Sequence, residues 1–134
     1  MLSVNVGSRR ALRGAMLGCG QVSLFHLRAW AQIEGVEIVA LANRTVSKAE
    51  ERAREFGIPL EHVYDDYRRL LDRERLDFVD IATAPDAHAE HVKAAAAYKL
   101  HVLCQKPLAP TLDEARAMLA ACEEARVILS VNEN

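Results

Sequence analysis

The chain has 134 residues, 51% of them hydrophobic and 27% charged, with a formal net charge of -2. That composition belongs to a folded globular domain and excludes a disordered chain. The balanced charge, with one Trp, three Tyr and three Phe, excludes a basic, aromatic-studded nucleic-acid surface, and no apolar run reaches the ~18 residues of a membrane span.

Residues 1–12, MLSVNVGSRRAL, hold two arginines and no apolar stretch before a cleavage site. They read as an N-terminal extension, not a signal peptide, with one domain over 13–134. Runs at 13–17, 36–42 (VEIVALA), 77–82 (DFVDIA), 100–104 (LHVLC) and 127–131 (VILSV) predict strands, with a weaker one at 62–64. Their near-continuous apolar content fits strands buried on both faces, as in a parallel sheet. Helical patterns fill the intervals. Ser47-x-x-Glu50 and Thr111-x-x-Glu114 have the spacing of capping boxes, Gly57 and Pro59 end the second helix, and Ala94–Ala97 favour the fourth. Strands alternating with helices predict an α/β, doubly wound, mainly parallel sheet with helices on both faces.

Between the first strand and first helix stands Gly18-Cys19-Gly20-Gln21-Val22-Ser23, a G-x-G-x-x-S pattern. Gly18 would allow a tight turn and Gly20 a close approach of backbone to a pyrophosphate. Gln21 and Val22 open the helix whose N-terminus would hold that group, and Ser23 takes the third, small position. The pattern is also compatible with a purely structural turn. About 20 residues on, where a ribose-reading side chain is expected, the second strand ends in Asn43-Arg44-Thr45. An acid there would grip the ribose of NAD and repel a 2′-phosphate. Asn43 cannot repel, and Arg44 offers a charged fork, so NADP is favoured over NAD.

The cysteines, Cys19, Cys104 and Cys122, are odd in number and form no C-x-x-C pair. They read as buried reduced thiols of a cytoplasmic protein. His88 and His91 share a helix face but lack a third ligand, so no metal site is expected, and a structural or crevice-lining role is preferred for both. His26 is expected to pack or lie partly exposed on the first helix, and Trp30 to pack against the sheet edge.

The segments GCGQVSLFHLRAW, Thr83-Ala84-Pro85-Asp86-Ala87-His88 and His101-Val102-Leu103-Cys104-Gln105-Lys106-Pro107-Leu108-Ala109 together resemble the N-terminal domain of the Gfo/Idh/MocA (glucose-fructose oxidoreductase, inositol dehydrogenase, rhizopine catabolism) oxidoreductases. The resemblance runs from residue 13 to about 131. It implies a Rossmann domain binding a nicotinamide dinucleotide, with hydride exchange on a sugar or cyclitol. By the same resemblance Lys106 lies beside nicotinamide and substrate as the catalytic lysine. Thr83, Pro85, His88, Gln105 and Lys106 then join Gly18, Gly20, Gln21, Val22, Asn43 and Arg44 as cofactor-side residues. The sequence departs from the family pattern in three places. Gln105 replaces a glutamate, Tyr98-Lys99 replaces a turn with glycine, and Pro85 comes one position late. The family also carries a second domain with most substrate contacts and the proton-accepting His or Tyr. The 134 residues offer nothing for it, so the chain reads as a fragment or shortened relative, inactive alone and expected to form a homo-oligomer. Two other readings remain open: a non-catalytic nucleotide-binding or regulatory module, and a doubly wound domain binding a flavin or no nucleotide.

Overall fold

The computed structural model describes residues 9–133. Six parallel strands form one sheet: β1 (Leu12–Leu17), β2 (Val36–Ala42), β3 (Val63–Tyr64), β4 (Phe78–Ile81), β5 (His101–Gln105) and β6 (Leu129–Asn132), in the order β3-β2-β1-β4-β5-β6. The connecting helices are α1 (Gln21–Trp30), α2 (Val46–Phe56), α3 (Tyr67–Arg73), α4 (Pro85–Ala97) and α5 (Leu112–Ala125), with a 3-10 turn at Leu60–His62. The doubly wound expectation holds. Chain direction across the sheet reverses at β1, which lies between β2 and β4, and the carboxyl ends of those strands part there to leave a crevice.

Alternation along β1 divides the core. Met16 faces α1 and α2, where it meets Leu27, Leu41, Ala49, Ala53 and Ile58. Ala15 and Leu17 face the other way, into a larger cluster with Val79, Ile81, Val102 and residues of α3, α4 and α5. Both sides of the central strands are therefore apolar, which explains their near-continuous hydrophobic runs. Each fully enclosed side chain such as Leu41, Ile81 or Met118 stabilises the fold by about 1.5–3 kcal/mol. Alanines at 49 and 53 on α2, and at 95 and 96 on α4, let these helices sit close to the sheet.

Local signals were read with unequal success. Thr111 does cap α5: its Oγ1 accepts from the Glu114 N–H at 3.2 Å and donates to Glu114 Oε2 at 2.9 Å. Ser47 does not cap α2. It lies inside the helix, Thr45 is the N-cap, and no side-chain cap bond forms there. β1 starts at Leu12, so the extension is shorter than read, and residues 1–8 lie outside the described residues.

The missing glycine after α4 has a visible cost. Lys99 takes φ 60°, and Arg126, the C-cap of α5, takes φ 59°. A side chain in the left-handed region crowds the following carbonyl, costing roughly 1–2 kcal/mol. Exposed Lys99 makes the simpler test: Lys99→Gly should raise unfolding free energy by about 0.5–1 kcal/mol once glycine's own chain entropy is set against the relief. Denaturant titration checks this, and a destabilised variant would show that Lys99 is not strained.

Candidate functional site

The carboxyl ends of β1, β2, β3 and β4 open onto a cleft of about 730 Å³, within the usual range for small-molecule sites. Its floor is the Gly18–Gly20 turn. Gly18 has φ 95°, and a Cβ there would lie 2.7 Å from the carbonyl carbon and oxygen of Ala82. Only glycine allows β1 to turn so tightly against the end of β4. Gly20 differs: a Cβ there meets nothing within 4 Å. Its lack of a side chain serves nothing packed against it in the fold and leaves room for a group lying over the turn. It is also the N-cap of α1, with no side-chain cap bond, so the first N–H groups of that helix are left for an anion. Ser23 is fully buried, its hydroxyl donating to the Gly20 carbonyl at 2.5 Å.

Asn43 lines the cleft but is not a free ribose reader. Its Oδ1 accepts from the Cys19 N–H and its Nδ2 donates to the Thr45 carbonyl, both at 2.9 Å. It pins the glycine turn to the start of α2. Arg44 is exposed beside it. The other arginine of the cleft, Arg68, is bonded to Asp66 at 3.1 Å, while Asp65 is held by Arg69 at 3.3 Å. Among the described residues Arg44 is thus the cleft's one cation with no ion pair.

The opposite wall comes from β4 and α4. Thr83 lines the cleft, and its Oγ1 lies 3.0 Å from His91 Nδ1. Burial pushes His91 below the ordinary histidine range, with the neighbouring Glu90 opposing this. Tyr67 packs edge-on against the His91 ring at 4.4 Å and donates to Glu90 Oε1 at 2.6 Å. Burial, then that bond, raises its hydroxyl to about 12. Pro85 is the first residue of α4, where its missing N–H costs nothing.

Other expected residues fall elsewhere. His88 is fully buried and does not line the cleft: Nε2 meets the Thr83 carbonyl at 2.9 Å, and Nδ1 the Pro107 and Leu108 carbonyls at 3.1 Å. The expected place among the cofactor-side residues is not where its side chain lies, because proximity along the chain does not say which way a helical side chain turns. Gln21 is exposed at the start of α1. The Val22 and Gln105 side chains line a separate open depression on the α1 side of the sheet. Any pyrophosphate contact at Val22 is therefore through its backbone. Lys106 is exposed just past β5, outside the cleft wall, and its N–H donates to Gln105 Oε1 at 3.2 Å. The Lys106–Pro107 peptide is cis. No cluster that could hold a metal occurs among the described residues. All three cysteines are free and buried, and burial raises Cys19 and Cys104 to about 12.

Pattern reading missed the β3–α3 loop and the start of α3, Asp65-Asp66-Tyr67-Arg68, although strand carboxyl ends are where such sheets bind ligands. It also missed the network beneath the open depression. Asp80, fully buried on β4, accepts from His26 Nδ1 at 2.9 Å and from Trp30 Nε1 at 2.7 Å, while Asn132 Nδ2 reaches His26 Nε2 at 2.9 Å. Trp30 also packs on Phe78, ring centroids 5.0 Å apart.

The comparisons with known proteins agree with this architecture. Residues 12–133 match the Gfo/Idh/MocA oxidoreductase family, NAD-binding Rossmann fold. The chain belongs to this family. It is 44% identical over its whole length to a D-apiose dehydrogenase of Paraburkholderia graminis. It is 38% identical over 85% of its length to a D-xylose 1-dehydrogenase (NADP(+)) of Haloferax volcanii. It spans 35% and 34% of those two proteins. The structure of an oxidoreductase from Agrobacterium radiobacter, in complex with NAD+, L-tartaric acid and magnesium, superposes with a TM-score of 0.87 at 38% identity, covering 91% of this chain and 35% of that one. The chain is the nicotinamide-dinucleotide-binding domain of a family of dehydrogenases. No helix among the described residues is long and apolar enough to cross a membrane.

The buried network has a pH signature. The hydrogen bond to Asp80 raises His26 above its ordinary value, against the opposing effect of burial. A raised folded value means that the proton's stabilisation is fully present below the unfolded value of about 6.5 and is lost as pH rises through the folded value. His26→Gln can still donate to Asp80 but takes up no proton. Its stability deficit should be larger at about pH 5.5 than at about pH 8.5, as read by urea titration; a deficit independent of pH would dissociate His26 from this linkage.

Proposed function

We propose that the chain is the cofactor-binding half of an NADP-preferring oxidoreductase acting on a sugar or cyclitol hydroxyl. The observation that carries the dinucleotide reading is the open turn at Gly20, facing an uncapped helix N-terminus. The first-turn N–H groups of α1 would hold the pyrophosphate, with Arg44 on the 2′-phosphate and Thr83 and Pro85 on the nicotinamide side. Asn43 acts indirectly, by fixing the turn. The bound cofactor supplies hydride exchange at its nicotinamide ring. Lys106 would hold the substrate hydroxyl and stabilise the negative charge that develops on it.

Among the described residues no exposed histidine lines the cleft to accept the proton. His88 and His91 are both buried and bonded within the domain. A second domain, such as would complete the length of the relatives, is proposed to supply the base and most substrate contacts. The apolar side chains exposed on α1, Val22 and Phe25, and just past it, Ile33, support self-association of the isolated chain. One feature favours a non-catalytic module instead: Gln105 stands at the glutamate position and its amide oxygen faces its neighbour's backbone.

Four variants test the reading. A Cβ at position 20 meets nothing within 4 Å, so Gly20→Val should stay folded yet lose dinucleotide binding; unchanged affinity would make the turn merely structural. Arg44→Ala should weaken NADPH about tenfold or more through the lost charge-assisted bond and NADH far less. Equal losses would remove Arg44 from the ribose site. Asn43→Asp keeps an acceptor for Cys19 but adds a negative charge, and should shift preference towards NADH by about tenfold in fluorescence titrations. In a protein completed by a family-type second domain, Lys106→Ala should suppress turnover.

A further inference from the structure

The loop that carries Lys106 packs Leu108 and Ala109 against the main apolar cluster but has few hydrogen bonds to the rest of the domain. Among the described residues, no backbone–backbone hydrogen bond outside helices and strands involves residues 106–110. The bond from the Lys106 N–H goes only to the adjacent Gln105 side chain. The loop's hydrogen bonds from outside come from one ring: His88, in the first turn of α4, meets the Pro107 and Leu108 carbonyls with Nδ1 and the Thr83 carbonyl with Nε2. All three partners are acceptors, so each ring nitrogen bonds its side only where it carries a proton, and bridging both loops takes an N–H on Nδ1 and on Nε2 together. The ring is fully buried, and water cannot replace these bonds without opening the domain. Its contacts bridge two loops that come from neighbouring strands, β4 and β5.

We propose that His88 is a positioning residue, a clasp that sets the Lys106 loop relative to the Thr83 wall of the cleft. The clasp couples the nicotinamide side to the lysine without touching either ligand. This rests on the dinucleotide reading above for its functional consequence, but not for its geometry.

The test compares the chain with His88→Leu, which fills the space without donating, and His88→Asn, whose amide nitrogen falls near the position of Nδ1. Without ligand, His88→Leu should speed amide hydrogen exchange at Lys106, Leu108 and Ala109 about tenfold while β1 and β2 exchange as before, and His88→Asn should recover part of the protection. His88→Leu should weaken NADPH about tenfold yet leave 2′,5′-ADP, which lacks the nicotinamide half, within about twofold. Unchanged exchange in the loop overturns the proposal. So does equal weakening of NADPH and 2′,5′-ADP, the mark of general loosening. Should the variants not fold, the unmodified chain decides by NMR: solvent-protected N–H groups on both His88 ring nitrogens support the clasp, and the absence of either overturns it. Failure of the unmodified chain to bind any dinucleotide would sink the functional reading alone, since the exchange and ring measurements need no ligand.

Discussion

The fold turns on one close approach. At the end of β1 the chain bends at Gly18 against the backbone of Ala82 and Thr83, too near for any side chain. Because β1 is the strand where the sheet reverses its winding, that contact sits where its two halves meet. On the other side of β1 the Gly18 N–H donates to the Ala42 carbonyl of β2 at 2.9 Å. The bend sends α1 away with its N-terminus over the crevice, and Asn43 then locks the turn from the next strand. The cleft, the exposed Arg44 and the Thr83 wall are arranged around this point.

Polar groups buried around it are almost all bonded, and that gives the domain its rigidity. Ser23 closes onto its own helix, His88 onto two loops, and Asp80 onto a histidine and a tryptophan. An unbonded buried polar group costs about 1–3 kcal/mol, so each of these networks selects one arrangement of loops over its neighbours. The two faces of the sheet are used differently. On one, α3, α4 and α5 cover the strands with apolar side chains. On the other, the Asp80 network lies under an open depression rimmed by Val22 and Phe25.

Much of this was legible from residue pattern. The apolar runs located the strands within a residue or two, because a strand buried on both faces carries few polar side chains, and the buried exception, Asp80, is hydrogen-bonded to His26 and Trp30. G-x-G at 18–20 placed the turn, since these two positions need glycine for local reasons: left-handed backbone at the first and open space at the second. Thr111 and Glu114 marked a helix start correctly because a cap is a contact within four residues. Ser47 failed by the same measure. The chain had already entered the helix after Thr45, and a spacing rule cannot see where the preceding strand lets go.

By itself, then, the sequence determined what depends on neighbours along the chain: the alternation of strands and helices, the glycine turn, and the choice of Asn-Arg over an acid at the end of β2. Only the tertiary structure decided which side chains are free. Asn43 is occupied by Cys19 and Thr45, while Arg44 beside it is left open. His88 turns inward to main-chain carbonyls that follow it by 19 and 20 positions, and His26 meets a carboxyl 54 positions away. Hydrogen bonds are satisfied in space, by whatever donor or acceptor packing brings within 3 Å or so, and no local pattern encodes that pairing.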